Sequence, residues 1–307
     1  MLNPIVKMGL TRWRYIGLLL STVLTCGCIW ILWSKGLHLG LDFTGGVLLE
    51  LKIQTLQSAA ELNARLSPEL AQILELQPAG VPGEWLIKLP TQELITPAAE
   101  LAQHLAQDLA MPVELTRTTI VGPQVGSELF EQGMLALLVA SVAISGYLAL
   151  RFEWRQAIGV LLSVLHDAVM ALGILALLQI EFDLNIIAGL MAVIGYSLND
   201  SIVISDRLRD LLQAKVEPDI YACSDRAIKA TFSRTLITSG TTLFTVGALL
   251  LFGGSALYGF SLTLFIGILV GTLSSITIAS TVQELLGLST EAYDKEPLPA
   301  EAWETAP

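Results

Sequence analysis

Cysteine, histidine and charge are all scarce in this 307-residue chain, which holds three cysteines, three histidines and only 15% Asp, Glu, Lys and Arg. None of the cysteines (Cys26, Cys28, Cys223) falls between 34 and 131, so an exported domain there cannot be disulfide-built. Cys26 follows Thr25 rather than a small Gly, Ala or Ser, and no histidine or acid accompanies the Cys26–Cys28 pair. Small residues inside a span explain the pair better than lipidation or metal binding. His38 and His104 have no nucleophile patterned beside them, and no glycine-rich loop carries the lysine that nucleotide phosphates require. Enzymatic chemistry therefore has no visible carrier, and no cofactor or metal is expected. Basic residues are also few: 17 Lys and Arg against 28 Asp and Glu give a net charge of −11, with nothing like a nucleic-acid footprint.

What the chain has is apolar length. It is 53% hydrophobic with a mean hydropathy of +0.65. Six apolar runs, near 15–33, 133–150, 157–178, 184–204, 235–252 and 260–281, can each cross a ~30 Å hydrocarbon core. The surplus acid lies outside them: 34–130 holds 11 Asp/Glu against 5 Lys/Arg, and the tail from 282 holds 6 against 1. Both blocks read as solvated surface. Lys7, Arg12 and Arg14 precede the first run and Trp30 and Trp33 close it, as expected of a span with a cytosolic N-terminus. That run exceeds a signal-peptide core and lacks an A-x-A site, which favours an uncleaved anchor. Basic residues sit in 151–156 and 205–234 but not in 179–183 or 253–259, so both termini are expected in the cytosol.

The expected organisation is a cytosolic 1–14, a span at 15–33, an exported domain at 34–131, five spans within 132–281 and a disordered acidic tail at 282–307. Within the domain, alternation and helical spacing predict strands at 46–53, 73–76, 84–89 and 112–121, and helices at 57–66 and 97–109. That order, βαββαβ, is the ferredoxin-like arrangement. The fold class is thus an α-helical polytopic membrane protein of six transmembrane helices carrying one exported α+β domain. Asp42-Phe43-Thr44-Gly45-Gly46 follows the first span. Its two glycines permit positive φ or close backbone approach, and Asp42 can satisfy local N–H groups in an Asx turn. A bend that couples span to domain fits better than a phosphate loop, which would need a lysine and a following helix.

Intramembrane ionisable residues are the functional candidates, because a charge in hydrocarbon costs several kcal/mol and persists only when paired or lining a cavity. Asp200, with Asn199 beside it, lies near the end of the fourth run, and Arg234 opens the fifth. Antiparallel neighbours would bring Asp200 and Arg234 to similar depth, as a proton-responsive pair or as a static ion pair fixing register. Asp167 with His166 is either a second relay station or a buried hydrogen-bonded pair. Polar stripes accompany these acids: Gly159, Ser163, Asp167 and Ala171 on the third run, Gly189, Val193, Tyr196 and Asp200 on the fourth. Arg234, Thr238, Thr241, Thr242 and Thr245 share a side of the fifth, and Gly267, Gly271 and Ser275 form a small-xxx-small seam on the sixth.

The motifs LDFTGG (41–46), VGPQVGSEL (121–129), RFEWR (151–155), His166-Asp167, GYSLNDSIVISDRLR (195–209), SRTLITSGTT (233–242) and GTLSSITIAS (271–280), taken in this order, resemble the SecF family. That family belongs to the SecDF complex of the resistance-nodulation-division (RND) superfamily. The resemblance implies an RND/SecDF-type half bundle that pairs with SecD, assists the SecYEG channel beside YajC- or YidC-type proteins, and acts on unfolded translocating polypeptides. It also implies a proton motive force coupled through the positions of Asp200 and Arg234, with protons as the coupling ion. The expected site is a bacterial cytoplasmic (inner) membrane, or also a thylakoid membrane if the source is cyanobacterial. An RND small-molecule exporter subunit and a passive translocon scaffold are the alternatives.

Overall fold

The computed structural model describes residues 4–53, 75–78, 83–89, 105–107, 113–217 and 219–293. Six of its helices are long and apolar enough to cross a membrane. Helix α1 (Pro4–Lys35) ends at Gly36, whose φ of +70° turns the chain. A single turn, α2 (Leu41–Thr44), leads into a β-sheet, and α3 (Pro123–Arg151) returns to the bundle with proline in its first turn. Then come α4 (Trp154–Leu177), α5 (Leu184–Gln213), α6 (Ile220–Phe252) and α7 (Gly254–Ser274). The last span continues through one π-helical turn (Ser275–Ala279) into α8 (Ser280–Leu285). Carboxylates start three of these helices by accepting an otherwise orphaned backbone N–H. Glu153 takes that of Arg155, Asp183 that of Ile186 and Asp219 that of Tyr221.

Helices α4, α5 and α7 make the inside of the bundle, and α1, α3 and α6 lie around it with most of their surface uncovered. Close approach depends on glycine. A Cβ at Gly267 would stand 2.1 Å from Val193, and one at Gly173 would stand 2.3 Å from Cys28. Cys28 is thus a small residue packed between α1 and α4, its Sγ 3.6 Å from the Met170 sulfur.

The domain between α1 and α3 contains a four-stranded antiparallel sheet in the order β2-β3-β1-β4, built from β1 (Gly46–Lys52), β2 (Glu75–Pro78), β3 (Glu84–Leu89) and β4 (Glu114–Val121). Alternate residues of β1 and β3, among them Leu49, Leu51, Trp85 and Ile87, are buried on one face. Of the expected βαββαβ elements, all four strands are among the described residues. The helix expected at 57–66 lies outside the described residues, and of the one at 97–109 only 105–107 are described, as helix.

Several boundaries differ from expectation, among them β2, which runs to Pro78 rather than 76. The stretch 205–234, expected as a loop, is mostly helix: α5 runs to Gln213 and α6 starts at Ile220, because the charged segments extend the spans as helices beyond their apolar windows. The last strand ends at Val121 and α3 begins at Pro123, so the end of the stretch 34–131 is helical. The tail is not disordered from 282. Leu288 is 1% exposed and packs with Leu208, Leu211, Leu212, Cys223 and Ala227, and Tyr293 sits against the same cluster and donates to the side chain of Gln156. Acidic composition hid these apolar anchors; residues 294–307 are outside the described set.

Candidate functional site

Two polar clusters lie inside the bundle. Asp167 stands ten residues before the end of α4 (177 − 167), ~15 Å along its axis from the end nearer the sheet. Its side chain is fully buried. One oxygen, Oδ2, accepts from Ser197 Oγ of α5 at 2.5 Å and from Ser274 Oγ of α7 at 2.8 Å, and Ser163 lies 3.0 Å behind Ser274. The other, Oδ1, is 2.9 Å from His166 Nδ1, whose second nitrogen is buried without a partner. Gly271 makes the room, since a Cβ there would come within 3.3 Å of both Asp167 Oδ2 and Ser197. The backbone then widens into the π turn, a geometry frequent at functional sites.

Asp200 forms the second cluster. It lies sixteen residues into α5 (200 − 184), ~24 Å from the end nearer the sheet, is 3% exposed, and accepts from Ser239 Oγ of α6 at 3.2 Å. Thr272 Oγ1 of α7 is 2.9 Å from Ser239, which links three helices through hydroxyls. Arg234 lies eighteen residues before the end of α6 (252 − 234), ~27 Å deep and so nearly level with Asp200. Level is not paired. Among the described residues no ion pair within 4.0 Å joins them; Arg234 is exposed on the outer side of α6 while Thr235 and Ser239 face inward. Asn199 is likewise exposed, one helical step away from the cluster. The threonines following Arg234 do not line the bundle either. Thr238, Thr241, Thr242 and Thr245 each donate to the carbonyl four residues back in their own helix. Helical spacing showed that these residues share a side, and had no means of showing which side faces in.

Of the seam on the last span, Gly267 meets Val193 of α5, Gly271 meets Asp167 and Ser197, and buried Ser275 donates to the Thr272 carbonyl. Asp42 does something the sequence did not suggest. Its Oδ2 accepts from Leu184 N at 3.1 Å, capping the helix that carries Asp200 rather than closing a local turn. Next to it the Asp183 carboxyl is held above its ordinary value by burial, with the charge of Asp42 adding to the effect. Around this cap, Gly40 N donates to Phe182 O and Phe182 N to His38 O, a parallel bridge between the end of α1 and the α4–α5 turn. Phe43 is buried between Phe130 and Phe182, and Thr44 donates to Gly40 O. Gly45 and Gly46 have φ of +69° and +145°. Lys88 of β3 pairs with Glu181 in the same turn. Elsewhere His104 falls outside the described residues.

Residues 30–55 match the SecD/SecF GG motif, and 102–289 match the model of the protein export membrane protein SecD/SecF C-terminal region. The chain is 38% identical to the protein translocase subunit SecF of Vibrio alginolyticus, over 92% of this chain and 91% of that protein. The chain belongs to the SecF family. Against the SecF of Escherichia coli O157:H7 the identity is 40% over 91% of this chain and 88% of the other. A crystal structure of SecDF from Thermus thermophilus, described as a translocon-associated membrane protein, superposes with a TM-score of 0.79 at 33% identity. SecDF in its super-membrane-facing form gives 0.63 at 32%. Both alignments cover 90% of this chain but only 38% of the SecDF chain. A SecF-like translocase subunit is what these relationships describe; a small-molecule exporter is not favoured. SecF membership also fits the absence of catalytic machinery in the motifs.

Proposed function

We propose that this SecF-family subunit pairs with a homologous SecD bundle in the bacterial inner membrane, both termini in the cytosol, and that the pair uses the proton motive force to promote late stages of polypeptide translocation beside SecYEG and YajC- or YidC-type partners. One observation carries the reading: the uncovered outer side of α5 and α6 presents Asn199 and Arg234 at membrane depth, right behind buried Asp200. A guanidinium facing hydrocarbon is costly, and a second bundle over this side would cover it. A bundle that brings water or a further acid to this side completes the proton path that a lone half lacks.

In this reading Asp200 takes up a proton, its bond to Ser239 rearranges, and α5 moves relative to α6. Because Asp42 caps α5, that movement reaches the base of the exported domain. One charge moving through 100 mV supplies ~2.3 kcal/mol, roughly a fifty-fold shift in a two-state equilibrium. That biases a domain position, and repeated cycles move a long chain. The test is preprotein translocation into energised inverted vesicles containing matched SecD and either wild type or Asp200→Asn. The expected result is that collapsing the gradient slows only the wild type. Equal slowing of both refutes the coupling.

A further inference from the structure

The end of the bundle opposite the exported domain holds a cluster of charges that the reading above does not use. Arg14, on α1, is 1% exposed. Its Nε donates to Asp225 Oδ1 of α6 at 3.0 Å, and its Nη1 donates to Glu284 Oε1 of α8 at 2.6 Å. Thr11, one turn earlier on α1, donates to the other Asp225 oxygen at 3.0 Å. Both carboxylates are buried, Glu284 at 6% and Asp225 at 7% exposed. Among the described residues, Tyr15 and Tyr221 also face the cluster, and Arg14 is the cation hydrogen-bonded to both acids.

The charge count decides what this cluster must contain. One guanidinium between two ionised carboxylates leaves a net −1 in a dry site, and an uncompensated buried charge is strongly destabilising. Protonating one of the two acids removes that surplus charge. Glu284 Oε2 and the neighbouring Ser224 Oγ are both buried without a completed hydrogen bond. Ser224 suits either state, since it can donate to a carboxylate or accept from an acid, and so it imposes none.

We infer that Arg14, Asp225 and Glu284 form a second proton-binding site, a clamp that ties α1 to α6 and α8 while it holds its proton and loosens when the proton leaves. The site stands on its own geometry and does not require the Asp200 pathway. Its position links proton occupancy to the helix that carries Arg234 and to the helix that leads into the exported domain.

Infrared spectroscopy of the full-length chain in lipid nanodiscs tests this directly. At neutral pH the wild type should show a carboxylic-acid carbonyl band, sensitive to hydrogen–deuterium exchange, that is lost in Glu284→Gln or in Asp225→Asn. Glu284→Gln keeps the shape of the site and removes the surplus charge, so its clamp should stay closed at every pH. Hydrogen exchange over 11–18 and 221–228, corrected for intrinsic rates, should then rise tenfold or more with alkaline pH in wild type and remain flat in Glu284→Gln. Arg14→Met, leaving two acids without a cation, should open both segments and guards against a misfolded glutamine variant. If wild-type carbonyl bands are identical to those of both amide variants, or if Glu284→Gln opens the clamp as Arg14→Met does, the cluster is an ordinary ion-pair network and the inference fails.

Discussion

Replacing Gly46 by alanine is the sharpest perturbation of the link between bundle and exported domain. The residue holds φ of +145°, a conformation that side-chain-bearing residues rarely adopt. A Cβ placed there would stand 2.6 Å from Leu89 O and 2.8 Å from Leu41 Cδ1. The leucine methyl can move aside. The Leu89 carbonyl cannot, because β3 is locked to β1 by the pairing of Val47 with Leu89 and the residues beyond. Backbone strain of ~1–3 kcal/mol and overpacking of similar size give a combined cost of at least about 2 kcal/mol. Expressed as local opening, about 2 kcal/mol is roughly a thirty-fold loss of protection. Hydrogen exchange read by mass spectrometry over 46–52 and 84–89 measures it in the full chain. Gly122→Ala is the matched control, since that glycine has φ of −69° and nothing within 4 Å of its added Cβ. Exchange in Gly46→Ala no faster than in Gly122→Ala would refute the reasoning.

Other outcomes follow from the same geometry. Asp183 has its pKa raised above 3.8, so its neutral acid is the form the fold favours; that contribution is complete below 3.8 and is lost as pH rises through the folded-state value. Thermal melting should therefore show a seat firmer in mild acid than at neutral pH in wild type, and a flatter profile in Asp183→Asn. Reversing Lys88 or Glu181 singly should destabilise the exported domain, and reversing both should restore it, with a coupling of about 0.5–3 kcal/mol in a double-mutant cycle. Tyr293 has its phenol pushed up to about 12 by burial and then by the charge of Glu153, so its bond to Gln156 persists at any physiological pH. Tyr293→Phe leaves the buried Gln156 oxygen bare and should cost about 1–3 kcal/mol, seen in proteolysis of the C-terminal segment. Gly271→Ala should lower melting temperature more than Gly195→Ala, which meets nothing within 4 Å, because its methyl presses on Asp167 and Ser197.

The six spans and the strand pattern were legible because apolar length and alternation are local properties of a chain. The acids were legible for the same reason, as isolated charges in apolar runs. Facing was not. Asp200 and Arg234 are level, as antiparallel spans require, but whether the guanidinium points to the acid or to a neighbouring bundle depends on the rotation of α6. That rotation is set by Thr235, Ser239 and Val246 packing inward, a choice no spacing rule makes. Ser197, Ser239 and Ser274 went unremarked as carboxylate partners because hydroxyls in spans so often bond their own backbone. The repeat of Ser197, Ser201 and Ser205 at four-residue intervals, all buried, was the available signal. The Asp42 cap and the Arg14 cluster join residues 142, 211 and 270 positions apart, which is why local reading passed over them.

The exported chain leaves and returns through one narrow place. Gly46 pairs with Val121, and a Cβ on Gly45 would touch Pro123 at 2.9 Å, so departure and arrival are neighbours rather than opposite corners. Among the described residues the Lys88–Glu181 pair also ties β3 to the α4–α5 turn, so a swing of the sheet away from that turn has to part it.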